Sequence, residues 1–390
     1  MPILSVIIPT HNRARYAIPS IKSILEASAE IEVVVCDSSE IDLISPEFES
    51  SSERNRIRFV KTNSSFSVVD NFNAALEIAT GEYFVFLGDD DFVSSKIVDV
   101  ALWAKSNCID AVKFTFPALY YWNDFSSNTR WRAEGSTLSI SNYAGVANKY
   151  NPIDALENAM ENFGSGVLDM PRAYAGMISR SLSDSIRKKY GNLFGGVSPD
   201  IYSAALISVE AKKCARLDYP IVIPGASGAS TSGLSAKGKH VGGLRDNPHI
   251  GAFKNLIWDL RIPEFYSVYT VWSYSLLKAV ELMPSYSEKL NFSRLYIKCF
   301  LYERSYTKFT LQSFSTYRKR IGLWSFSNRM LGALASEVKA VFFKLLSRSK
   351  FIRNEESTIV ICDLPNAFIA HQALEKYLRS EAKSLKLDPI

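Results

Sequence analysis

The chain is poor in the features that would announce a disulfide scaffold, a membrane span or a phosphate-binding glycine loop. Its five cysteines, Cys36, Cys108, Cys214, Cys299 and Cys362, are odd in number and widely spaced, with no CxxC pair. That excludes a disulfide framework or zinc cluster as the organising device and favours a reducing compartment. No uninterrupted apolar run reaches the roughly eighteen residues that a spanning helix requires. The N-terminus, Met1-Pro2-Ile3-Leu4-Ser5, places no basic region before an apolar stretch, so no export signal is expected. Neither GxGxxG nor GxxxxGK[ST] occurs, which argues against a dinucleotide fold and a P-loop. Histidine is scarce, with four in the chain: His11, His240, His249 and His371.

What is present is ordinary globular material, 390 residues at 47% hydrophobic, enough for one large domain and a smaller one. The formal charge of +5 hides an asymmetry: residues 294–353 hold thirteen lysines and arginines against Glu303 and Glu337. The remainder is therefore net acidic, and the basic character is regional. Helical patterns with apolar faces run through 268–282, 292–302 and 331–346, and Lys339, Lys344 and Arg348 interrupt the last one. Such a segment suits an amphipathic helix on an anionic bilayer. The alternative is a helical subdomain that packs internally or against another subunit. Nucleic acid is not expected, because the basic cluster lacks a recognition motif and the rest of the chain would repel a phosphate backbone.

The first hundred residues alternate strand and helix signals. Leu4–Ile8, Ile31–Cys36, Ile57–Val60 and Tyr83–Leu87 read as strands, with helical spacing at Ile18, Ile21, Ile24 and again at Val69, Phe72, Leu76. This predicts an α/β unit with a mostly parallel central sheet flanked by helices. Ligands in such sheets gather outside the C-terminal strand ends, and Thr10, Asp37, Asn63 and Asp89–Asp91 all fall there. Three consecutive aspartates after a buried strand repel one another and call for a counter-charge, most simply a divalent cation held by oxygen. The plainer reading is an acidic turn that caps the following helix. Asp37 could accept the imide N–H of a uracil, and Thr10 could contact base or ribose.

The run Ile8-Pro9-Thr10-His11-Asn12-Arg13, then Asp37-Ser38-Ser39, Asn63, Asp70-Asn71 and Ala79-Thr80-Gly81-Glu82-Tyr83-Phe84-Val85-Phe86-Leu87 running into the acidic triplet, resembles the family 2 glycosyltransferases of the A-type nucleotide-sugar fold. The family often has Leu-Asp-x-Asp-Asp where this chain has Leu87-Gly88-Asp89-Asp90-Asp91, and arginine and glycine where this chain has Asp70 and Asn73. The resemblance implies a nucleoside diphosphate sugar donor, UDP-sugar first, with Mn²⁺ or Mg²⁺ at the acidic motif. It implies donor contacts from Pro9, Thr10, Asn12, Arg13, Asp37, Asn63, Asn71, Asp89 and Asp90, and metal ligation by Asp91, Asp90 and His240. The biological setting it suggests is surface-polysaccharide synthesis on a glycan or lipid-linked acceptor, in the cytoplasm or at the inner membrane face, with homo-oligomers allowed.

Further along, Tyr120-Tyr121-Trp122-Asn123, Trp131 and Tyr143 have the composition of a sugar-binding lining, or else of a surface elaboration with its own small core. Asp200 follows Ser198-Pro199 at a helix start, where an aspartate ordinarily serves the helix end. The resemblance offers it a second role, the base of an inverting transfer, with Asp169 and Asp184 as fallbacks. The small-residue run Gly225–Gly233, followed by Lys237, Lys239 and His240, reads as a flexible connection or as a lid that brings those two lysines to a diphosphate. The expected organisation is a catalytic domain over 1–250, with a nucleotide half to 100 and an acceptor half beyond, then a mainly helical, basic region over 251–390. The rival functions are a catalytically inactive carbohydrate- or nucleotide-binding module and a nucleotidyltransferase.

Overall fold

The computed structural model describes residues 1–126, 134–230, 241–253, 255–353, 358–380 and 383–390. Its centre is an eight-stranded sheet in the order β3-β2-β1-β4-β10-β6-β11-β9. The strands are β1 (Leu4–Thr10), β2 (Ile31–Asp37), β3 (Ile57–Lys61), β4 (Tyr83–Phe86), β6 (Ala111–Phe114), β9 (Ala147–Tyr150), β10 (Met177–Ser179) and β11 (Cys214–Leu217). The first four run parallel. β10 reverses between β4 and β6, and β9 reverses at the far edge.

Alternate residues of the parallel strands enter two apolar layers, which is why β1, β2 and β4 are mostly apolar on both faces rather than at every second residue. Ile7, Val34, Phe84 and Phe86 face one layer, with α2 (Val68–Ile78), α4 (Pro152–Glu161), α6 (Pro199–Glu210) and the helices Val268–Val280 and Phe292–Tyr302. Val6, Ile8, Val33 and Val85 face the other, with α1 (Ala14–Ala27), α3 (Ile97–Ser106) and the final helix Ala367–Ser380. A boundary at residue 250 therefore does not divide the core. The helical region builds onto one face of the sheet, and the chain end returns to the other.

The short strands β5 (Phe92–Val93) and β12 (Val222–Ile223) pair with each other. β7 (Ala118–Tyr121), β8 (Thr137–Ile140), β13 (Gly225–Ala226) and Ile359–Ile361 make a four-stranded sheet. The helix after the acidic turn begins only at Ile97, because Phe92 and Val93 are taken into the β12 pairing. The aromatic segment is core: Tyr120 and Trp122 are buried, as is Tyr143, so they are not an open sugar-stacking surface. Trp131 lies outside the described residues.

Candidate active site

The site forms where β4 stops short of β1. Pairing between them ends with Leu87 donating to the Ile7 carbonyl at 2.9 Å, while β1 continues to Thr10 in register with Asp37 of β2. Gly88–Asp91 then closes a turn, the Asp91 N–H donating to the Gly88 carbonyl at 3.1 Å. The turn folds the aspartates back over the end of β1, where Thr10 Oγ1 donates to Asp89 Oδ2 at 2.7 Å.

All three carboxylates are buried, and each is held differently. Arg13 Nε lies 2.6 Å from Asp89 Oδ1 and Arg13 Nη2 lies 2.9 Å from Asp90 Oδ2. Ser227 Oγ donates to the same Asp90 oxygen at 2.6 Å and accepts from Arg13 Nη2 at 3.1 Å. Asp91 accepts from backbone, the Gly225 N–H at 2.7 Å and the Gly88 N–H at 2.9 Å, with Tyr174 Oη at 3.5 Å. Burial, then the neighbouring carboxylates, pushes Asp91 up to about 7. Burial, partly offset by Arg13, pushes Asp89 up to about 6, and Asp90 is also raised, by burial first. Burial and then Asp91 drive the Tyr174 phenol well above its ordinary range. Burial works against the Arg13 charge, but Asp89 and Asp90 together outweigh it and raise the guanidinium. One guanidinium faces three carboxylates, so the pocket keeps an excess of negative charge.

Arg13 is fixed from behind by the Tyr16 ring, 4.7 Å from its guanidinium carbon. Tyr16 meets Trp122 edge-on at 5.0 Å and donates to Asp124. Trp122 Nε1 donates to the Asp90 carbonyl at 3.0 Å. Trp122, for which composition allowed a sugar-binding lining or a small local core, buttresses the acidic turn.

The other nucleotide-side residues serve the frame around this pocket. Asn71 donates to the Thr10 and Cys36 carbonyls at 3.3 and 3.0 Å and accepts from Thr62, lashing together the ends of β1, β2 and β3. Asp37, buried, accepts from the Ser39 N–H at 2.8 Å and from the Ser39 hydroxyl, with Lys61 Nζ at 3.5 Å. Asn12 takes a left-handed φ of 54° and donates its N–H to Ser39 Oγ at 2.7 Å, a conformation asparagine tolerates. Pro9 pairs opposite Cys36 inside the sheet. Asn63 is exposed and caps its own turn through the Ser65 N–H. Pro9, Asn71 and Asn63 are thus structural brackets or surface in this arrangement.

Asp200 sits in the first turn of α6, its Oδ1 taking the Ser198 hydroxyl at 2.7 Å and its Oδ2 lying 3.9 Å from Arg172. Its charge adds to the upward push on the Tyr174 phenol, after burial and the three aspartates of the turn. The fallbacks are spoken for: Asp169 pairs with Lys113 at 2.8 Å, and Asp184 lies on the outer face of the helix Arg180–Tyr190 near Arg187. Lys237, Lys239 and His240 lie outside the described residues. His249 gives its Nε2 to the Val197 carbonyl at 2.6 Å, and burial lowers its pKa. His371 is spent on the Val93 carbonyl.

Sequence reasoning missed Tyr16, Tyr174 and Ser227. The small-residue run read as a flexible connection or a lid, but at its start Gly225–Ala226 pairs with Tyr120–Tyr121 and Ser227 is buried on Asp90. The available signal was Gly225 itself, where a Cβ would fall 1.9 Å from the Asp90 carbonyl oxygen. A groove of about 640 Å³ at the opposite ends of the strands, lined by Glu32, Arg58 and Thr80 among others, brings no free catalytic group. Its buried Glu32 is already held by Thr80 and by Arg58 at 2.6 Å.

Residues 5–150 match the family model described as glycosyl transferase family 2. That stretch has the features of a glycosyltransferase domain and makes up less than half of the chain. A Mycoplasma genitalium protein named "Uncharacterized glycosyltransferase MG060" is 31% identical over 121 residues, which is 29% of this chain and 41% of that protein. The chain thus spans about two-fifths of that relative's length. Among solved structures, S. aureus TarS 1-349 in complex with UDP-GlcNAc aligns at 17% identity and TM-score 0.43, covering 79% of each chain. The mannosyltransferase PcManGT from Pyrobaculum calidifontis, in complex with GDP-Man and Mn²⁺, aligns at 14% identity and TM-score 0.38, covering 97% of this chain and 88% of its own.

Proposed function

We propose that this chain moves a sugar from a nucleoside diphosphate sugar, UDP-sugar first, to a glycan or lipid-linked acceptor, with inversion and on an A-type sheet. The observation that carries the reading is the 2.7 Å contact between Thr10 and Asp89. It ties the end of β1 to the turn after β4, next to Asp37 at the end of β2, on the side of the sheet where open α/β folds bind ligands. Asp37 is suited to a uracil N–H and Thr10 to the base or ribose. Arg13 is the chain's own cation beside the place for the diphosphate.

The donor set fits a divalent cation, Mn²⁺ or Mg²⁺. It is made of carboxylate oxygens, carries excess negative charge, and holds its aspartates at raised pKa, a penalty that a cation relieves. Among the described residues no group of three or more His, Cys, Asp and Glu could hold a metal. The ion would thus draw most of its ligands from phosphate and water, as Mg²⁺ commonly does. Asp90 is the residue to hold it, because its partners Arg13 and Ser227 are side chains that can turn away. Asp91 is fixed by two backbone N–H groups and anchors the turn. When bound, the cation supplies charge neutralisation for the departing diphosphate. Asp200 would take the acceptor hydroxyl proton as the bond to the anomeric carbon forms, one displacement that inverts the centre.

The test is calorimetric titration of UDP-, GDP- and dTDP-sugars into the protein with and without Mn²⁺ or Mg²⁺, followed by donor hydrolysis. One nucleotide class should bind selectively and more tightly with the cation. If no nucleotide binds under either condition, the donor reading fails.

A further inference from the structure

We propose that the helix Leu323–Arg353 lays an exposed apolar stripe on an anionic lipid surface, an interaction that goes beyond the donor reading and does not rest on it. The helix has two faces. Phe326, Ala333 and Glu337 are buried, with Met330 half-buried between them. Phe326 packs edge-on against Phe314 at 4.5 Å, and Glu337 Oε2 takes Arg294 at 2.9 Å. These contacts seat the helix on the protein. Two residues away, or about 200° around the axis, Trp324 is 84% exposed and Leu331 67%. Val338 follows at 62%, Phe342 at 58% and Leu334 at 48%, with Val341 beside them. The spacing of Trp324, Leu331 and Val338 by seven, and of Leu334 and Val341 by seven, keeps them on one side. From Trp324 to Phe342 that side is about 27 Å long.

An outward apolar face of this length, interrupted only at Ser327 and Asn328, needs an occupant, and charge decides which. The helix carries Arg329, Lys339, Lys344, Arg348, Lys350 and Arg353 with Glu337 as its one acid, and Glu337 is buried against Arg294. Just before the stripe, Arg318, Lys319 and Arg320 are exposed at the end of the helix Thr307–Ile321. A second copy would bring like charge against like charge. A surface that is apolar below and anionic above satisfies both features, and an anionic bilayer is such a surface. Among the described residues no helix is long and apolar enough to cross a membrane, so the geometry is that of a helix lying along the interface.

The experiment is flotation of the full chain with vesicles of phosphatidylcholine alone and with about 30% phosphatidylglycerol. Alongside it go the double variant Leu331→Glu/Val338→Glu and the triple variant Arg318→Gln/Lys319→Gln/Arg320→Gln, with circular dichroism and thermal melting as controls of fold. Wild type should partition onto the anionic vesicles about tenfold or more above the neutral ones, and lose that preference near 0.5 M salt. Both variants should fall about tenfold or more while keeping the wild-type dichroism spectrum and melting temperature. Equal binding to neutral vesicles, or none to either, overturns the proposal. So does a wild-type dimer in solution that Leu331→Glu/Val338→Glu splits, which would give the stripe to a second copy.

Discussion

Arg13 and Asp89, 76 residues apart in the chain, meet at 2.6 Å, and the same guanidinium reaches Asp90 at 2.9 Å. The acidic turn therefore carries an internal counter-charge whether or not a cation is bound. Burial first, and then neighbouring carboxylates that a single positive group does not balance, keep Asp89 and Asp91 raised at about 6 and about 7.

Removing that counter-charge leaves a buried carboxylate unpaired, the costly half of breaking a buried ion pair. Arg13→Gln should lower stability by about 3 kcal/mol at pH 7.5, read by urea denaturation. Adding Mn²⁺ should restore part of the loss. A variant as stable as wild type would mean that the turn does not depend on Arg13.

Asp90 and Asp91 should separate cleanly. Asp90→Asn should abolish the effect of Mn²⁺ on nucleotide binding, seen by calorimetry, with a small change in stability. Asp91→Asn puts an amide where two backbone N–H groups need acceptors and should cost about 1–3 kcal/mol, while some cation effect survives. The opposite pattern would move the cation to Asp91.

Asp200→Asn should keep the fold and the affinity for UDP while lowering kcat by about 10²–10⁴, the range for loss of a general base. Steady-state transfer assays together with UDP titration check this. Unchanged kcat would leave Asp200 only its place in the first turn of α6.

A buried ion cluster ties the basic helices together. Lys298 lies 3.6 Å from Glu337, and burial, then Arg294, pulls it down to about 8 from its ordinary value near 10.5. The unfolded chain binds the extra proton between those values, so stability from this group rises as pH increases through that window. Wild type should gain on Lys298→Met between about pH 8 and pH 10 in urea unfolding. Parallel profiles for the two proteins would show that Lys298 pays no burial penalty for its charge.

Much of the first hundred residues was legible because its signals are local. Val33–Cys36 and Tyr83–Phe86 are unbroken apolar runs, and α2 starts at a Ser67–Asp70 capping box that its own sequence spells. The acidic triplet could be seen to follow a buried strand. The role of Trp122 could not, because an aromatic residue is lining or core according to what covers it, and Tyr16 and the Asp90 carbonyl come from elsewhere in the chain. The C-terminal end gave no functional signal, and its place on α1 follows from the apolar layer it completes.

The sequence by itself determined the alternation of strands and helices, the polar strand ends and the regional basic charge, since each depends on residues within a turn or two of one another. Tertiary structure decided which charge answers which. Arg13 against Asp89, Gly225 against Asp91, Arg294 against Glu337 and the outward turn of Leu331 all join or separate distant segments. Electrostatic pairing and burial depend on distance in space, and only the packed sheet with its two helical layers sets those distances.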